Sequence, residues 1–235
     1  MSRILVVEPV VMEPDETADA YLRSLTAADT ELRFVALETG PASIETFSDA
    51  AVAAPEVLRL LEREAGGCDA VVIDCFADPA LKPARERLGI PIVGAAEASM
   101  ALALELGHSF AVVAIGDNSK PWTELQAREM GIERRLAAAK GVDIPVLDLE
   151  RDLQATTAAL LALARECVDE RGADVIILGC TGMFVVADRL REQLDVPVIE
   201  PMAAAVKTAE MLARLGLTHS HRGLYRRLTG NESLR

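Results

Sequence analysis

Short apolar runs recur along the chain, separated by longer stretches of mixed character. Residues 3–7, 32–37, 69–73, 110–115 and 174–178 are rich in Val, Ile, Leu and Ala and show no polar alternation. That is the pattern of parallel strands buried on both faces. Residues 91–93 and 196–199 carry a Pro between aliphatic neighbours and read as shorter strands. Between the runs, helices are expected over residues 14–25, 55–65, 97–107, 122–130, 133–140, 152–170 and 202–216, with a further strand over 144–147. The turn signals agree: Pro14 with Asp15 and Glu16 opens one helix, and Gly66-Gly67 closes another. Pro79 is expected to begin a helix capped by Asp78. Strand and helix in alternation define an α/β fold with parallel sheet.

One apolar run appears twice. Asp69-Ala70-Val71-Val72-Ile73-Asp74-Cys75 is echoed by Asp174-Val175-Ile176-Ile177-Leu178-Gly179-Cys180, the two cysteines lying 105 positions apart. Pro91 and Pro197 are separated by 106 positions, as are Ile4 and Phe110. Similar order at a near-constant offset indicates two structurally related halves. Ligands of open α/β sheets sit beyond the carboxyl ends of strands. Both Cys75 and Cys180 are therefore placed where chemistry would be, whereas Cys68 falls in a turn and Cys167 on a helix.

Composition narrows the function classes. The 235 residues carry 37 acidic and 24 basic side chains, a net charge of −13, which repels phosphate backbones and anionic membranes. Aromatics are 3%, too few for base-stacking platforms. No apolar run approaches a membrane span of roughly 20 residues, and the chain enters a strand directly without a leader pattern. Four cysteines without a secretory context point to reduced thiols in the cytoplasm. No C-x-x-C, glycine-rich dinucleotide or phosphate-loop motif occurs. Of the three histidines, His219 and His221 form a His-x-His in the polar tail and are expected to be solvated rather than to hold a metal.

Two thiols facing one cleft form a two-base pair. One, as thiolate, removes a proton from a carbon α to a carbonyl; the other, as thiol, returns a proton to the opposite face, and the carbon inverts. That chemistry needs no metal or organic cofactor, only donors for the enolate-like oxygen. The strand-end loops supply the other candidates: Glu8 after the first strand, Thr39 and Gly40 after the second, Phe76 and Ala77 after Cys75, Asp117 after residue 115, Thr181 and Gly182 after Cys180, and Glu200 after residue 199. A helix start beyond Cys75 is expected to favour a thiolate and an anionic substrate group.

Several segments together carry a family resemblance. These are Gly40-Pro41-Ala42-Ser43-Ile44-Glu45, Ala54-Pro55-Glu56-Val57-Leu58, Cys75-Phe76-Ala77-Asp78-Pro79, Val93-Gly94-Ala95-Ala96-Glu97-Ala98-Ser99, Leu178-Gly179-Cys180-Thr181-Gly182-Met183 and Pro201-Met202-Ala203-Ala204-Ala205-Val206-Lys207. Over nearly its whole length the chain resembles the hydantoin racemase branch of the aspartate/glutamate racemase superfamily. The resemblance implies two flavodoxin-like parallel-sheet halves related by pseudo-twofold symmetry, with the active site in the cleft between them. It implies domains at residues 1–98 and 99–206, with residues 207–235 returning to the first. It further implies a cofactor-independent racemase or epimerase whose cysteines are Cys75 and Cys180, a small-molecule substrate that is a 5-substituted hydantoin or a related cyclic amide or amino-acid derivative, and self-association into a homo-oligomer.

Two positions depart from the family pattern. Its first loop is usually Asn-Pro-Asn-Thr, whose asparagine contacts substrate; here it is Glu8-Pro9-Val10-Val11. Glu200 precedes Pro201, where Asp is common. The change at Glu8 suggests a substrate with a cationic or N–H-rich group rather than a plain hydantoin. Related chemistries remain as alternatives: a cis–trans isomerase of the maleate type, a decarboxylase, or a non-catalytic small-molecule binding protein on the same scaffold.

Overall fold

The computed structural model describes residues 1–116 and 119–226. Its strands are β1 (Ser2–Glu8), β2 (Thr30–Ala36), β3 (Ala70–Ile73), β4 (Ile92–Gly94), β5 (Phe110–Ile115), β6 (Leu136–Val142), β7 (Val175–Leu178) and β8 (Val198–Ile199). Its helices are α1 (Glu16–Leu25), α2 (Phe47–Glu64), α3 (Leu81–Arg87), α4 (Ala95–Leu106), α5 (Ser119–Glu129), α6 (Leu153–Asp169), α7 (Phe184–Gln193) and α8 (Pro201–Leu215). The strands form two four-stranded parallel sheets, ordered β2-β1-β3-β4 and β6-β5-β7-β8. The second order is the first repeated, so the two halves share one topology.

The central strands are what the unbroken apolar runs require. Every residue of β3, β5 and β7 is buried, as are Ile4 to Val7 of β1. A strand without a polar face is stable only with helices on both sides. In the first half these are α1 with α8 on one side and α2 with α3 on the other.

The two halves exchange helices. α4 follows β4 of the first sheet, yet Ala96, Met100 and Ala103 pack with Phe110, Val112, Val175 and Ile177 of the second. α8 follows β8 of the second sheet, and Met202, Ala205, Val206 and Ala209 pack with Ile4, Val6 and Val72 of the first. Alanines on the buried faces of both helices let them lie close together between the sheets. Met202, in the first turn of α8, already packs in the first-sheet core. Among the described residues, no helix is long and apolar enough to cross a membrane.

Three local expectations are corrected. Residues 133–140 are not a helix: a short turn leads into β6 at Leu136, which pairs in parallel with β5. Residues 144–147, expected as a strand, are loop and a single 3-10 turn. α2 starts at Phe47 rather than at Pro55, because Thr46 and Asp49 form a reciprocal capping box. The tail also differs from a solvated one, since the half-buried His219 ring bonds the backbone of Ile92 on edge strand β4.

Candidate active site

The carboxyl ends of β1, β3, β5 and β7 converge on a cleft of about 550 Å³ between the halves. In each sheet the two central strands run in register, so equivalent residues meet at their ends. Val7 pairs with Ile73, which sets Glu8 beside Asp74, and the Asp74 amide donates to the Val7 carbonyl at 2.8 Å. Val113 pairs with Leu178, which sets Ala114 beside Gly179, and the Gly179 amide donates to the Val113 carbonyl at 2.9 Å. Cys75 and Cys180 come next along the chain, and both line the cleft.

Each thiol faces the backbone amide two residues on: Ala77 for Cys75 and Gly182 for Cys180. Gly182 lies close against its thiol, since a Cβ there would sit 3.8 Å from Cys180 Sγ. These amides favour the thiolates, and burial opposes them. Burial pushes the Cys180 thiol up to about 11, with Asp74, Glu45 and Glu200 adding to the rise. Burial raises Cys75 further, with Cys180, Asp78 and Asp74 contributing. The expected thiolate-favouring field beyond Cys75 is therefore reversed by burial and neighbouring carboxylates.

The carboxylates are themselves shifted. Burial, with Asp19 and Asp15 behind it, holds Glu8 up to about 7. Asp74 is raised well above its ordinary range by burial and by Glu8 and Glu200, with Thr181 offsetting part of the rise. Asp78 does not cap α3. Its carboxylate accepts from the Ala96 and Glu97 amides at 3.1 Å each, so it caps α4. Gly94, the residue before α4, makes room: a Cβ there would lie 2.4 Å from Asp78 Cγ. Asp78 and Ala80 hold left-handed backbone at φ of 48° and 61° to make this reach. A burial-raised Asp78, at about 7, is stabilised as an anion by those two amides.

Aromatic side chains clasp the cleft on two sides. Phe47 stacks on Trp122 with ring centroids 4.2 Å apart, and Tyr21 stacks on Phe184 at 5.5 Å. Beside the first clasp, Gln126 Nε2 donates to the Phe76 carbonyl at 2.8 Å and Lys82 pairs with Glu129 at 2.6 Å. Half of the eight aromatic residues thus sit on this seam.

Of the residues singled out from the sequence, Cys75, Cys180, Glu8, Phe76, Ala77, Thr181 and Gly182 line the cleft together. Thr39 and Gly40 are exposed outside it, and their loop delivers Ala42, Ser43, Ile44 and Glu45 instead. Glu200 is buried outside the lining. It caps α8 through the Met202 and Ala203 amides and accepts from the Tyr21 hydroxyl at 3.2 Å. Asp117 lies outside the described residues. Sequence reasoning missed Trp122, Gln126 and the segment 143–150, all of which except Asp148 lines the cleft. The repeat offset of 106 carries residues 37–44 onto that last segment and is the signal that finds it. Among the described residues no group of three or more His, Cys, Asp or Glu is disposed to hold a metal ion.

Residues 15–209 match the family model of the Asp/Glu/hydantoin racemases. A hydantoin racemase of Paenarthrobacter aurescens is 34% identical over 236 residues, covering 99% of this chain and 100% of that protein. One from Pseudomonas sp. (strain NS671) is 38% identical over 195 residues, 83% of this chain and 78% of its own. The solved allantoin racemase of Pseudomonas fluorescens superposes with a TM-score of 0.92 at 31% identity, covering 97% of each chain.

Proposed function

The chain belongs to the Asp/Glu/hydantoin racemase family, and on that footing we propose that it is a cofactor-independent racemase acting on a hydantoin-type substrate, with Cys75 and Cys180 as its acid/base pair. The observation that carries this reading is the pair of thiols at equivalent strand ends on one cleft, each facing the amide two residues on. The reacting ring carbon lies between them. The thiolate takes its proton, negative charge moves onto the neighbouring carbonyl oxygen, and the opposite thiol delivers a proton to the other face. The Phe76 and Thr181 amides, each next to a cysteine and taken by no backbone carbonyl among the described residues, are the donors for that oxygen. The aromatic clasps hold the halves around the ring and limit water.

The resting thiols are protonated, so the thiolate forms when substrate binds and the acidic surroundings are rearranged or paired. A substrate with two carboxylates, as the cis–trans isomerase and decarboxylase alternatives need, would meet a wall of like charge.

The test is proton NMR in D₂O with single enantiomers of 5-substituted hydantoins and allantoin. Loss of the signal at the ring carbon, with loss of optical rotation, is expected. Absence of both across the series would refute the racemase reading.

A further inference from the structure

The cleft is lined by six carboxylates, Glu8, Asp15, Glu45, Asp74, Asp143 and Glu150, and by no Lys, Arg or His among the described residues. Three buried or half-buried acceptors on its wall lack a protein partner. The Glu8 carboxylate makes no hydrogen bond or ion pair among the described residues. Asp74 Oδ1 is buried with no hydrogen bond. Gln126 spends its amide on the Phe76 carbonyl, which leaves Oε1 buried and unpartnered. Burying an acceptor without a donor is unfavourable, so such groups in a cleft mark where a ligand's donors go.

Neither the fold nor the thiol chemistry demands these acids. The same strand ends in the other half carry Ala114 and Gly179, next to the second thiol, in the same register. The acid pair at Glu8 and Asp74 is thus an addition to a site that the architecture builds without it. A ring N–H satisfies one acceptor and leaves the rest of the charge unpaired. An ammonium or guanidinium satisfies several acceptors and the charge together. The overall charge of −13 also draws cations toward the mouth.

We propose that the substrate carries a cationic, N–H-rich group that binds against Glu8 and Asp74, with Gln126 Oε1 accepting from it. This rests on the racemase reading for the ring chemistry, though the charge preference stands apart from turnover. The test compares hydantoins bearing the side chains of lysine, arginine, norleucine and glutamate, by calorimetric binding and by proton exchange in D₂O. The lysine or arginine form is expected to bind roughly tenfold or more tighter than the norleucine form, with the glutamate form weakest. Glu8→Gln and Asp74→Asn should each move the lysine-to-norleucine ratio toward unity, two variants guarding against a folding defect in either. Equal or weaker binding of the cationic forms, or no binding of any form, overturns the proposal whether or not exchange occurs. Preferential cation binding without exchange upholds it and defeats the racemase reading alone.

Discussion

At the ends of its central strands the first half of the cleft sets Glu8 beside Asp74; the second half sets Ala114 beside Gly179. The two pairs occupy the same register in the same sheet order, so the contrast lies in side chains alone. Its consequence falls on the thiols. Cys75 follows Asp74 directly and feels Asp78 as well, whereas Cys180 follows a glycine and feels Asp74 and Glu45 of the first half and Glu200 of its own. Burial is the largest cause for both, and the Cys180 thiol, Asp78 and Asp74 add to the rise at Cys75. A pseudosymmetric scaffold thus surrounds its two thiols unequally, with Asp74 and Asp78 on the Cys75 side and a glycine before Cys180. Symmetry supplies two faces of attack; the acids make their surroundings unequal.

The largest expected effect separates those faces. Cys75→Ser and Cys180→Ser should each lower racemisation by about a thousandfold, within the range of general acid–base contributions. Deuterium uptake into single enantiomers should fail for opposite enantiomers in the two variants. A variant that still exchanges both would remove that cysteine from the pair.

The next effect measures the acid pair. Glu8 ionises near 7 in the folded protein and near 4.5 unfolded, so over that interval the folded state retains a proton that the unfolded state has released. The contribution is fully present below about pH 4.5 and is lost as pH rises through about 7. The natural protein should lose up to about 3 kcal/mol relative to Glu8→Gln across that window, followed by urea unfolding at stepped pH. A difference that does not change with pH would put the Glu8 carboxyl in water.

Much of this contrast is written in the chain. The apolar runs locate seven of the eight strands and both cysteines, because a strand buried on both faces leaves no polar residue to confuse its period. β6 escaped because Ala137, Ala138, Ala139 and Lys140 favour helix, and pairing with β5 overrides that preference. The offset of 106 carries β2, at 30–36, onto 136–142, the bounds of β6. The neighbours of Cys75 were harder. Asp78 reads as a cap for the helix that follows it, and only the fold shows α4 presenting bare amides where Gly94 has no side chain. Glu200 reads as a binding residue because it precedes a helix at a strand end, yet its carboxylate is consumed by α8 and Tyr21. Residue type and position give the candidates; which acid remains unpartnered depends on three-dimensional neighbours.

The smallest effect asks whether the second half could have carried a side chain at all. A Cβ at Gly179 would lie 2.5 Å from Ala114 Cβ and 2.9 Å from Val112 Cγ1, both in the packed end of β5. Gly179→Ala should therefore cost about 1–3 kcal/mol, seen as a lower denaturation midpoint with an unchanged slope. Ala114→Gly added to it should return part of the loss, because it removes the nearest contact and leaves Val112 in place. The first half avoids this conflict by opening the wall at position 74 to the cleft, where Asp74 finds room and Glu8 a neighbour. If Gly179→Ala were neutral, packing would not be what keeps the second half-site bare, and the asymmetry of the thiols would rest on the acids alone.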